Sequence, residues 1–189
     1  MQPTSRFKRC SIHGRESIDR SNFEIVPRKM NPTDNATSPR QVAIVGVGNL
    51  LLSDEGVGIH AIRALREASM PDHVKIFEFG TRGLEILEAV QGFRKAIIID
   101  AVRSGAPPGS IRRWELSELL DTSAPRMLNL HEIDLLTALK IGRATARLPD
   151  EVIIIGVEPK LLSPGLELSP EVKGKFQGLL DLILKELSL

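Results

Sequence analysis

Residues 42–56 read VAIVGVGNLLLSDEG, and their order decides the fold. VAIVGVG (42–48) is apolar without alternation and ends in glycines, as a parallel strand buried on both faces would. A helical pattern over 55–68 follows, with Val57, Ala61, Ala64, Leu65 and Ala68 at helical spacing and Ile59 and Ile62 widening the face. Outward from this unit the alternation repeats. VKIFEF (74–79) reads as a second strand, and Leu84, Leu87 and Val90 mark a helix that stops near Gly92. KAIIID (95–100) is a strand apolar on both faces, SIRRWE (110–115) alternates like a half-exposed one, and EVIIIGV (151–157) is again buried in character. A helix is expected over 130–141. The last begins at Ser169-Pro170-Glu171, with Ser169 as N-cap and Pro170 at the first helical position; Val172, Phe176, Leu179, Ile183 and Leu187 then form its apolar stripe.

Strands alternating with helices predict an α/β domain over 41–189 with a mostly parallel sheet covered on both sides. Its roughly 150 residues suffice to bury about 70% of the unfolded chain's surface. The break RSGAPPGS (103–110) is too short for a parallel crossover, so the strand at 110–115 is expected to be antiparallel.

Composition narrows the function classes. The 189 residues carry 25 Lys and Arg against 24 Asp and Glu, too balanced for electrostatic binding of nucleic acid or a membrane surface. No apolar run approaches the ~18 residues of a membrane span. The single cysteine, Cys10, excludes an internal disulfide and a CxxC pair, so a reduced, cytoplasmic setting is expected. Residues 1–40 hold eight basic and four acidic side chains with no sustained apolar period, which predicts a disordered basic extension. It lacks the apolar stretch of a secretory signal, and Glu16, Asp19 and Glu24 argue against an organellar presequence. Met30 sits just before the core, as an alternative start would.

In an open parallel sheet, ligands collect beyond the carboxyl ends of the strands. The places there carry Ser53-Asp54-Glu55, Glu78, Asp100, His131 and Glu158. Gly46-x-Gly48 opens like a dinucleotide fingerprint, but the third glycine position is Leu51, and Asp54 and Glu55 repel a pyrophosphate at the helix start. The same acids suit a cation. Glu55 alone reads as dipole compensation, and His131 as a first-turn residue behind an Asn129-x-x-Glu132 capping box. Asp100 ends an apolar strand, where a carboxylate needs a partner. One Glu, one Asp and one His at three mouths make a mixed oxygen and nitrogen set that suits Zn²⁺ or Ni²⁺ and leaves positions open. His60, His73, Cys10 and His13 compete poorly by position. No G-x-S-x-G elbow or H-E-x-x-H helix is present.

Taken in order, GVGNLLLSDEGVGIHAIRAL (46–65), FEFGTRG (77–83), IIIDAV (97–102), NLHEIDLL (129–136) and GVEPKLLSPGLELSPEV (156–172) resemble the hydrogenase maturation proteases. The likeness covers 41–189 and none of the tail. It implies a three-layer α/β/α sandwich with a five-stranded mixed sheet, one strand antiparallel. It also implies an aspartic-type endopeptidase that removes the C-terminal extension of a [NiFe] hydrogenase large-subunit precursor after nickel insertion. By motif match the family's metal-binding Glu, Asp and His fall on Glu55, Asp100 and His131. The nickel arrives with the precursor, and Zn or Cd are stand-ins for it in vitro. A cytoplasmic monomer is expected. The family's second-strand motif Asp-Gly-Gly-Thr reads Glu78-Phe79-Gly80-Thr81 here, which implies a different client and puts the role of Glu78 in doubt. Two other readings stay open: a nickel-dependent docking chaperone without proteolysis, and a Rossmann-like nucleotide-binding module.

Overall fold

The computed structural model describes residues 41–68, 70–80, 83–120, 130–145 and 147–188; the side chains of 83 and 130–134 lie outside that description. Five strands form one sheet: β1 (Val42–Gly46), β2 (Val74–Glu78), β3 (Lys95–Ala101), β4 (Ile111–Glu115) and β5 (Glu151–Val157). Their order is β2-β1-β3-β5-β4. The first four in that order run parallel, and β4 runs antiparallel to β5 at the edge, as the short Gly/Pro connection requires. The helices are α1 (Val57–Glu67), α2 (Gly83–Val90), α3 (Leu116–Leu120), α4 (Leu130–Ala144), α5 (Pro170–Lys173) and α6 (Phe176–Leu187), and a 3₁₀ turn over Ser53–Gly56 precedes α1.

Strand alternation divides the core in two. Ile44, Ile97, Ile99, Ile153 and Ile155 face α1 and α6, meeting Ala61, Ile62, Leu65, Leu179 and Ile183. Ala43, Val45, Ala96, Ile98 and Ile154 face the other way, against Ile86 and Val90 of α2, Leu116 of α3, and Leu135 and Leu139 of α4. The unalternating apolar runs of β1, β3 and β5 are thus explained by helices on both faces. The fold is a three-layer α/β/α sandwich.

Two local expectations need correcting. Leu84 is 62% exposed; the buried stripe of α2 is Ile86, Leu87 and Val90. The final helix is interrupted: Ser169 Oγ accepts from the Val172 N–H at 3.4 Å as an N-cap, but α5 ends at Lys173 and α6 starts at Phe176. Gly174, a residue of poor helix propensity, sits at the break.

At the opposite end of the sheet from the strand mouths, Lys95 is 4% exposed. Its Nζ lies 2.8 Å from Glu151 Oε1 and 3.4 Å from Glu186 Oε2, and Arg113 Nε donates to Glu186 Oε1 at 2.8 Å. Burial pushes the Glu186 carboxyl up, but the hydrogen bond and charge of Arg113, with Lys95 behind them, outweigh it and hold the group below its ordinary range. A carboxyl depressed in the folded state contributes stability above its unfolded value and loses it as pH falls through the folded one. Glu186→Gln is therefore expected to cost about 2–4 kcal/mol at neutral pH. Urea titrations should show the gap between variant and wild type closing as the medium is taken below about pH 4.

Candidate active site

β1 is followed by α1 on one face of the sheet and by β2 on one side of it. β2 is followed by α2 on the other face and by β3 on β1's far side. The two connections part between β1 and β3, which opens a crevice at their carboxyl ends. Glu55 follows β1 and Asp100 lies near the end of β3, one on each side of that crevice. Two glycines bring the first of them down onto it. A Cβ on Gly58 would collide with the carbonyls of Val47 and Ile99, and one on Gly46 with the Gly58 carbonyl and Ile62. The 3₁₀ turn that carries half-buried Glu55 therefore rests against the end of β3.

Asp100 is 5% exposed, and its Oδ1 accepts the Ala101 N–H at 2.8 Å. Strand parity places it with Ala96 and Ile98, on the side of the sheet covered by α2 and α4. α4 ends beside the start of β5, where Arg143 shares a cleft with Glu151 and Val152. At 15 residues it is about 22 Å long, and His131 lies in its first turn. The structure thus brings Glu55 and Asp100 to one mouth and places the backbone of His131 on the face that Asp100 occupies. The His131 side chain and Asn129 of the expected capping box lie outside the described residues, as do Cys10, His13 and the whole extension 1–40. Among the described residues no group of three His, Cys, Asp or Glu side chains gathers as a metal site.

Asp54, adjacent to Glu55, does something else. It is 0% exposed: Oδ2 accepts from the amides of Lys160 (2.9 Å) and Leu161 (2.8 Å), and Oδ1 from that of Ser169 (2.7 Å). Charged acceptors make strong bonds to backbone amides, and this one closes the loop before α5 over the turn. The Leu52–Gly165 bridge and the Ser53 Oγ bond to the Ser163 carbonyl at 3.0 Å add to the closure. Ser53 holds φ at 51°, a conformation uncommon outside glycine, to fit between the two segments.

Glu158, at the mouth of β5, is likewise structural. Its Oε2 accepts from the Ser104 amide and hydroxyl, both at 2.7 Å, and from the Ala106 amide at 3.2 Å. It pins the 103–110 turn that lets β4 run antiparallel. Glu78 turns outward to α1, its oxygens 2.9 Å from Arg63 and 3.1 Å from Arg66. Phe79 stacks on Phe77 with centroids 6.4 Å apart, and Phe77 meets Phe93 edge-on at 5.8 Å. The unexpected phenylalanine is thus part of an aromatic cluster on the second core.

A phosphate nest needs backbone N–H groups facing the ligand. Here they are committed elsewhere: Leu52 donates to the Asn49 carbonyl, Ser53 to Gly165, Asp54 to Leu161 and Glu55 to Leu52. These four amides are not available to a phosphate. What residue order does not distinguish is Asp54 from Glu55. Both are acids in one turn, and the difference lies in amides 106 to 115 residues away.

Known proteins share this fold. The sequence model of the hydrogenase maturation protease family matches residues 59–186. The hydrogenase 2 maturation protease of Escherichia coli (strain K12) is 31% identical over 153 residues, spanning 78% of this chain and 90% of that protein. The structure of the hydrogenase maturating endopeptidase HybD from E. coli superposes with a TM-score of 0.68 at 29% identity, covering 78% of this chain and 92% of the other. The [NiFe] hydrogenase maturation protease HybD from Thermococcus kodakarensis superposes at 0.65 with 28% identity, over 77% and 97% respectively.

Proposed function

The chain belongs to the hydrogenase maturation protease family and is an endopeptidase of hydrogenase maturation, and from that premise we propose that it reads the nickel of its client. The client is the large-subunit precursor of a [NiFe] hydrogenase, met in the cytoplasm, and the bond cut is the one that releases its C-terminal extension. Glu55, Asp100 and His131 complete the coordination of nickel that the precursor already carries. Two carboxylates and an imidazole suit a borderline divalent ion and leave positions for the precursor's own ligands. Docking by the metal sets the scissile peptide against the mouth between β1 and β3. Hydrolysis there adds water across the C–N bond: the hydroxyl goes to the carbonyl carbon, and the proton goes through a carboxylate to the leaving amine. A divalent ion held by Glu55, Asp100 and His131 would supply polarisation of a nearby carbonyl.

One observation carries the reading. The carboxyl ends of β1 and β3 lie at the point where the connections part, and the acids found there are Glu55, after β1, and Asp100, near the end of β3. No helix among the described residues is long and apolar enough to cross a membrane.

The test is incubation of the chain with candidate large-subunit precursors, nickel-loaded and nickel-free, followed by intact-mass measurement. Shortening of the nickel-loaded precursor alone is expected. A stable complex of unchanged mass would make the protein a docking chaperone, and equal cleavage of both forms would remove nickel from the recognition step.

A further inference from the structure

Three leucines stand exposed on the segments stitched around the Glu55 turn: Leu51 at 66%, Leu161 at 45% and Leu166 at 62%. The other large apolar side chains in the open among the described residues, Leu84, Ile141 and Leu184, lie singly on three different helices. Exposed leucines scattered singly need no explanation, but these sit on two loops that are hydrogen-bonded to each other. Gly165 donates to the Leu51 carbonyl at 2.9 Å, Ser53 to the Gly165 carbonyl at 2.9 Å, and Asp54 to the Leu161 carbonyl at 3.1 Å. Leu51 and Leu166 flank the Leu52–Gly165 bridge, and Glu55 follows two residues after Ser53. The buried Asp54 carboxylate ties the two segments together again through the Lys160 and Ser169 amides.

Backbone chemistry then limits what this rim can recognise. The Leu51 amide donates to Asn49 Oδ1 at 3.0 Å and the Leu52 amide to the Asn49 carbonyl at 3.1 Å; the Leu51 carbonyl is taken by Gly165 and that of Leu52 by Glu55. A visiting strand finds these ladder positions filled. What the rim offers is apolar side-chain surface, held rigid at little further entropic cost. A second copy of this chain would need about 800 Å² from each partner for a stable dimer, far beyond three leucine side chains. A short segment carrying one apolar side chain fits the size and the chemistry, and on the reading of the site given above the segment brought to the Glu55 turn is the client's own chain.

We propose that Leu51, Leu161 and Leu166 are specificity residues that seat an apolar side chain of the client polypeptide beside the bond to be cut. The proposal rests on the reading of the site as a processing mouth. Its test uses a nickel-loaded large-subunit precursor that the wild-type chain cleaves, with Leu51→Ser, Leu161→Ser, Leu166→Ser and the triple variant. KM is expected to rise about tenfold for Leu51→Ser and about a hundredfold for the triple, with kcat within about twofold and the melting temperature unmoved. A second series replaces each precursor residue flanking the cut, one at a time, by Asp. One replacement should weaken cleavage by the wild type as the triple variant does, and the two losses combined should be far less than their product. A triple variant with wild-type KM, or one that changes only the sedimentation of the protein, would overturn the proposal. If Glu55→Gln is inactive while the triple variant has wild-type KM, only the rim is wrong. If the wild type cleaves no precursor, the underlying reading falls instead.

Discussion

Asp100→Asn and Glu55→Gln are each expected to lower processing of nickel-loaded precursor by about a thousandfold, with the melting temperature within about 2 °C of wild type. Both substitutions remove a charge and a ligand while keeping shape. In Asp100→Asn the side-chain amide carbonyl can still accept the Ala101 N–H that Oδ1 accepts now, so the strand end keeps its local bond. His131→Ala should fall in the same class. Gel separation of precursor and product, alongside calorimetry, makes the comparison. Near-normal cleavage by both carboxylate variants would show that the mouth between β1 and β3 is not where the client's metal docks.

Asp54→Ala is expected to be just as inactive for a different reason. It leaves the amides of Lys160, Leu161 and Ser169 without their shared acceptor. Buried amides deprived of a charged partner cost about 1–3 kcal/mol each, and the three are too close for simple addition. A loss of about 4 kcal/mol follows, or roughly 10 °C in melting temperature for a chain of this size. Measured together, activity and melting separate the neighbours: Glu55→Gln loses one, Asp54→Ala loses both. An Asp54→Ala protein that melts like wild type would mean the loop before α5 is held by something other than this carboxylate.

Much of this architecture can be read from residue order. The three apolar runs of β1, β3 and β5 announce strands buried on both faces, and RSGAPPGS announces the reversal into β4. Ser169-Pro170 marks the start of α5 because capping is a matter of neighbouring residues. Glu55 and Asp100 come up as candidates because topology puts the ends of β1 and β3 beside one crevice. Long-range electrostatics is not legible in the same way. Nothing local in KAIIID says that Lys95 will meet Glu186, 91 residues on. Nothing in SDEG says that Asp54 will gather three distant amides. Periodicity assigns a face to each side chain, but the partner across a loop is fixed by closure of the whole domain. Leu84 shows the converse limit: it keeps the helical period of α2 yet stands in the open, because the stripe is centred on Ile86 and Val90. The place of His131 in the set rests on motif resemblance and on its position in the first turn of α4.

The clamp at Asp54 also has a bearing on when competence arises during synthesis. Its oxygens wait for amides that are translated more than a hundred residues after it. While the segment around Ser169 is still inside the ribosome, the turn that carries Glu55 stands unbraced, however well the central strands have already paired. On the proposed placement of the site, the capacity to cut arrives only once that late segment has emerged.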